Sequence, residues 1–143
     1  MSMKKTAFAT LAAAALLFTG CFNTEAPKCS DKDVTSLLKK TYTQWRESME
    51  KSGNPLMAVY SVMLPQKIVT IDAPRASAYD PNIKLRSCKA EVTFDNNITG
   101  TLAYTVQIDE KNSDQFYLEL DSDSLTALLQ QSLMGNMLKQ LDK

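Results

Sequence analysis

The chain contains no histidine. That removes the commonest general base and the commonest metal ligand from any chemistry it could perform. Glycine is scarce, with 4 in 143 residues, all scattered. No phosphate-cradling glycine loop and no Gly-x-Ser-x-Gly nucleophile elbow can be built from them. There is no Cys-x-x-Cys pair. An excess of basic charge is also missing, since 16 Lys and Arg face 16 Asp and Glu. A nucleic-acid partner needs a basic surface to displace counterions from phosphates, so none is expected. These absences predict a protein that is not an enzyme and carries no metal or cofactor. What remains is an ordinary globular composition, 44% hydrophobic and 22% charged, at a length that suits one domain.

The N-terminus is the most informative segment. Lys4 and Lys5 form a short positive region, an apolar stretch runs from Ala7 to Phe18, and small residues precede Cys21. This is the three-part layout of a secretory signal peptide. The apolar run is shorter than the roughly 20 residues a membrane-spanning helix needs. Leu17-Phe18-Thr19-Gly20-Cys21 resembles the lipobox of bacterial lipoprotein precursors, with Thr19 and Gly20 at its small positions and Phe18 where the family prefers Leu. The resemblance implies cleavage before Cys21 and lipid, palmitate included, on that cysteine. Phe22 and Asn23 follow it, without the Asp that resembles an inner-membrane retention signal, which implies an outer-membrane lipoprotein facing the periplasm. Residues 1–20 are thus read as signal peptide, 21–28 as a lipidated tether and 29–143 as a single globular domain. Without Lys4 and Lys5, 14 basic residues face 16 acidic ones, a net charge of −2.

With Cys21 lipidated, Cys29 and Cys88 remain. An even remainder in an oxidising compartment predicts a structural disulfide. It would close a loop of about 60 residues, a constraint of about 4 kcal/mol on the unfolded chain.

Along the domain, Ser30 is expected to cap a first helix, with Asp33 three positions on. Val34, Leu37, Leu38, Tyr42, Trp45 and Met49 recur at helical spacing along it. Ser52-Gly53-Asn54-Pro55 stops it. Residues 56–64 read equally as a short helix capped by Asn54 or as a buried strand. Lys67–Ala73 reads as a strand and Pro74 to Pro81 as a loop. Strict alternation follows at Cys88, Ala90, Val92 and Phe94, then at Leu102, Tyr104, Val106 and Ile108, then at Phe116, Leu118 and Leu120. Short polar links join these runs, so an antiparallel meander is predicted. Asp121 to Ser124 then cap a last helix. Leu125, Leu128, Leu129, Leu133, Met137, Leu138 and Leu141 form its stripe, interrupted by Gly135. The fold class is α+β: an N-terminal helix, a four-stranded antiparallel meander and a C-terminal helix. In element order it resembles small cystatin-like and NTF2-like exported domains.

Few residues suggest chemistry. Asp121, Asp123 and Ser124 resemble the start of a calcium loop, but the downstream Gly and closing Glu are missing, so capping is the expected role. Asp109, Glu110 and Asp114 read as a solvated hairpin tip. Asn97-Ile98-Thr99 is a glycosylation-type sequon placed on a turn. The C-terminal helix is the best candidate for a partner surface, because Leu133, Met134 and Met137 are adaptable apolar contacts. Two functions follow as expectations. One is non-catalytic binding of another envelope protein, as inhibitor, immunity or exclusion factor, or assembly accessory. The alternative is a small-ligand or lipid carrier with a pocket between sheet and helix.

Overall fold

A computed structural model describes residues 13–17 and 25–143. Cys21 and the small residues before it lie outside the described residues. In chain order the elements are β1 (Ala13–Leu17), α1 (Lys32–Glu50), α2 (Pro55–Met63), β2 (Ile68–Asp80), β3 (Leu85–Phe94), β4 (Thr99–Ile108), β5 (Gln115–Leu120) and α3 (Ser122–Leu141). The fold is α+β. β2 to β5 form the four-stranded antiparallel meander, and β1 adds to the outer edge of β5 in a sheet of order β1-β5-β4-β3-β2. No strand was expected from residues 13–17.

The alternating runs point where their period requires. Cys88, Ala90, Val92 and Phe94 on β3, Leu102, Tyr104, Val106 and Ile108 on β4, and Phe116, Leu118 and Leu120 on β5 are all buried. The opposite face is wetter: Arg75 on β2 pairs with Glu91 at 3.3 Å, and Thr101 donates to the same carboxylate at 2.8 Å. The β3–β4 turn uses Asn97 with positive φ, a conformation Asn tolerates better than most residues. The Asp95 carboxylate reaches back to accept from the Gln66 amide at 3.0 Å, tying the start of β2 to the hairpin.

α1 crosses the buried face and sets Val34, Leu37, Leu38 and Tyr42 into the core, with Trp45 and Met49 packed against it. Tyr42 touches Phe94 with ring centroids 5.1 Å apart, and its hydroxyl donates to the Pro65 carbonyl at 2.7 Å. Its N-cap is Asp31 rather than the expected Ser30. The Asp31 carboxylate faces backward and accepts from the Lys28 amide at 3.0 Å. Residues 56–64 resolve in favour of a helix, because Pro55 stands in its first turn and Asn54 accepts from the Leu56 amide at 3.0 Å.

The stretch Pro74 to Pro81, expected as a loop, is mostly strand: β2 continues to Asp80. β2 is an edge strand, so Pro74 need not donate to a neighbour, and it falls where the register shifts between Asp72 and Arg75. Ala73 there has φ of 49°, the mark of a local bulge.

α3 begins where β5 ends. Its N-cap Asp121 accepts from the Ser124 amide at 3.0 Å, as the sequence predicts. The helix then runs beside the stretch of β4 that β5 leaves unpaired. The Asp121 amide donates to the Ala103 carbonyl at 2.9 Å, the Ala103 amide to Ser124 Oγ at 3.2 Å, and the Gln131 side chain to the Thr99 carbonyl at 3.1 Å. A helix thus satisfies a sheet edge that would otherwise be open.

Candidate functional site

Cys29 and Cys88 are joined in a disulfide, with Cα atoms 5.7 Å apart. Both are buried, and the Cys29 carbonyl accepts from the Tyr104 hydroxyl at 3.1 Å. The bridge fixes the segment before α1 to the central strands. Arg86 extends this attachment upstream. Its Nε donates to the Pro27 carbonyl at 3.0 Å and one terminal nitrogen to the Ala26 carbonyl at 3.1 Å. The same guanidinium lies over the Tyr79 ring, 4.5 Å from its centroid, and Ala26 is buried. Residues 25–28, expected within the tether, are therefore docked on the domain. Residues this far apart in the chain give no local pattern to read.

The C-terminal helix departs from its expected stripe. Leu125 and Leu128 are buried and Leu129 and Leu133 partly so, but Met137, Leu138 and Leu141 are 65%, 62% and 80% exposed. Met134, on the face opposite Leu125, is 65% exposed. The reason is geometric. The sheet ends near Thr99, where Gln131 meets it, and α3 continues for ten residues beyond. The first half of the helix has a sheet to cover and the second half does not. Of the predicted partner residues, Met134 and Met137 face outward together, while Leu133 sits half-buried beside them.

A second apolar surface had no counterpart in the sequence reading. Leu56, Val59 and Val62 on α2 are 54%, 50% and 77% exposed, and no charged residue occurs between Pro55 and Pro65. A helix that is apolar all round is normally enclosed. Here Ser61 faces inward and the Leu56, Val59 and Val62 face is open. The missing charge was the available signal. α2 touches both α1 and α3.

Among the described residues, one cleft of about 200 Å³ is lined by Trp45, Met49 and Met57, and one of about 180 Å³ runs between β4 and α3. Ligand sites are typically about 300 Å³ or more. A third, of about 290 Å³, lies at the β4–β5 hairpin and is bordered by Asp109, Glu110, Lys111 and Tyr117. There the Asp109 carboxylate accepts from the Lys111 and Asn112 amides at 2.8 and 2.9 Å and from the Tyr117 hydroxyl. The hydroxyl bond above all holds the Asp109 carboxyl below its usual range and pushes the Tyr117 phenol up. These groups brace a turn. Among the described residues no cluster of three or more His, Cys, Asp or Glu could hold a metal, and no helix is long and apolar enough to cross a membrane. Asp121 is engaged in capping.

Comparison with family models, with curated proteins and with solved structures found no match.

Proposed function

We propose that the chain is made as a bacterial lipoprotein precursor, cut before Cys21 and held by lipid at the periplasmic face of the outer membrane. There the domain binds another envelope protein without catalysing a reaction. The observation that carries the binding reading is the uncovered apolar surface of α2 and the second half of α3. Large exposed apolar patches on a monomer mark interaction sites.

The anchor reading has its own consequence. Because residues 25–28 are docked, only five residue steps separate Cys21 from the buried Ala26, a span of at most about 18 Å. The docked segment meets the sheet at Arg86, the start of β3, whereas α3 leaves the sheet at its other end, near Thr99. Seven residues of β3 separate Arg86 from Thr93, the partner of Thr99, so the second half of α3 begins about 23 Å along the strands from the attachment.

Two measurements test the proposal. Cells fed labelled palmitate should label the wild-type chain and not Cys21→Ser; an unlabelled wild-type chain refutes the lipid anchor. Crosslinking in intact envelopes, followed by capture of the chain, should recover a reproducible protein that Val59→Glu with Val62→Glu abolishes. Equal recovery by that variant would mean the α2 surface is not the binding face.

A further inference from the structure

The fold guards its other sheet edges from within. β2 carries Pro74 and its register shifts, and Lys39 Nζ donates to the Val69 carbonyl at 2.8 Å. α3 lies along the part of β4 that β5 leaves unpaired. The outer edge of β5 has neither device. Gln115–Leu120 holds no proline, no lysine or arginine and no residue of positive φ, and its pairing with β4 runs without a register shift. It is covered instead by a strand. Ala13–Leu17 of β1 pair with Glu119 back to Gln115 in unbroken antiparallel register.

β1 belongs to the segment read as a signal peptide, and cleavage before Cys21 would take it away. We propose that the edge of β5 vacated in this way receives an extended apolar segment of another polypeptide as an added antiparallel strand. The inference rests on the cleavage reading. It adds a main-chain binding site to the exposed side chains of α2 and α3.

Three observations carry it. The first is direction. The Gln115 carbonyl accepts from the Asp109 amide and the Asp121 amide donates to the Ala103 carbonyl, so the odd-numbered residues of β5 turn their main-chain groups to β4. By the alternation of an antiparallel ladder, Leu118 turns its N–H and C=O outward, opposite Ala14. The second is chemistry. α1 lies against both β5 and β1, so it overlies the place of the added strand. Side chains on that face of the occupant leave water and must be apolar. The segment that fits there, Ala-Ala-Ala-Leu-Leu, has no polar side chain. The third is space. A second copy pairing β5 to β5 in the antiparallel sense would keep its own α1 on the same face, and the two helices would meet over the same two strands. A lone strand brings no such helix.

The chain purified from membranes in detergent provides the test, and its intact mass comes first. A chain that begins at Cys21 has lost β1. One that keeps residues 1–20 overturns the cleavage reading, and the vacancy with it. The probe for the cleaved chain is a synthetic peptide of residues 12–18 flanked by lysines. It should slow hydrogen exchange of the Leu118 amide roughly tenfold or more. N-methylation of the peptide at Ala14 and Leu16, whose N–H groups face β5, should abolish that protection, and N-methylation at Ala13 and Ala15 should preserve it. No protection by the unmodified peptide, or equal protection by the two methylated ones, overturns strand addition while the cleavage reading stands. A particle of twice the chain mass whose Leu118 amide is protected before peptide is added would mean that copies fill each other's edges, which overturns a foreign strand.

Discussion

The guanidinium of Arg86 holds two successive carbonyls of the N-terminal segment, those of Ala26 and Pro27, at 3.1 and 3.0 Å. It is largely buried, so these charge-assisted bonds are shielded from water, whereas its 3.8 Å approach to the exposed Glu25 contributes little. Arg86→Ala should therefore lower stability by about 2 kcal/mol. Arg86→Lys should not restore it, since an ammonium cannot span both carbonyls while lying flat on Tyr79. Urea unfolding midpoints decide, and protease cleavage after Lys28 should accelerate in both variants. Unchanged cleavage would show the segment is held by the disulfide alone.

The Cys29–Cys88 bridge closes a loop whose ends are 59 residues apart. Replacing both cysteines with Ala should cost about 4 kcal/mol, chiefly by releasing the unfolded chain. Thermal unfolding of the double variant measures this, and the unreduced wild-type domain should show no titratable thiol at these positions.

Burial raises both core phenols. Tyr104 is pushed up to about 12, and Tyr42 higher still, chiefly because desolvation penalises the phenolate. In the unfolded chain both lose their protons near pH 10. Above that pH the unfolded state holds fewer protons than the folded one, so stability falls as pH rises. The stabilising contribution is complete below pH 10 and is lost as pH rises above it, through about 12 for Tyr104 and beyond that for Tyr42. Alkaline unfolding followed by tyrosinate absorbance should show ionisation and unfolding together. Tyr104→Phe should flatten the pH dependence, and a flat wild-type profile would contradict the burial.

Thr41 is buried in α1, and its hydroxyl has no hydrogen-bond partner among the described residues. Thr41→Val keeps the shape and removes the desolvated oxygen. It should raise stability by about 1 kcal/mol, read as a higher denaturant midpoint with an unchanged slope; a lower midpoint would mean the hydroxyl is satisfied.

The strands were legible because each has one wet face. The two-residue period at Cys88–Phe94, Leu102–Ile108 and Phe116–Leu120 gave both the elements and the inward side. α2 was ambiguous because it is apolar on every side, and only the Asn54 cap resolved it. The Pro74 stretch misled because a proline tolerated on an edge strand reads as a breaker. α3 was legible as a helix but not in its facing. A helical stripe says which residues lie together, and where the sheet ends decides which of them are covered. The grip of Arg86 on Ala26 and Pro27 left no trace, since it joins residues 59 and 60 positions apart. The anchor resemblance at Cys21 lies outside the described residues, so its support comes from sequence alone.

The seating of α3 along β4 makes the helix a guard against polymerisation. Ala103 and Thr99 offer it backbone groups that another strand would otherwise pair with. A truncation before Ser122 would bare a flat edge flanked by Leu102 and Phe94, the kind of template from which fibrils grow. The helix that follows the last strand is thus also the cover for this stretch of β4.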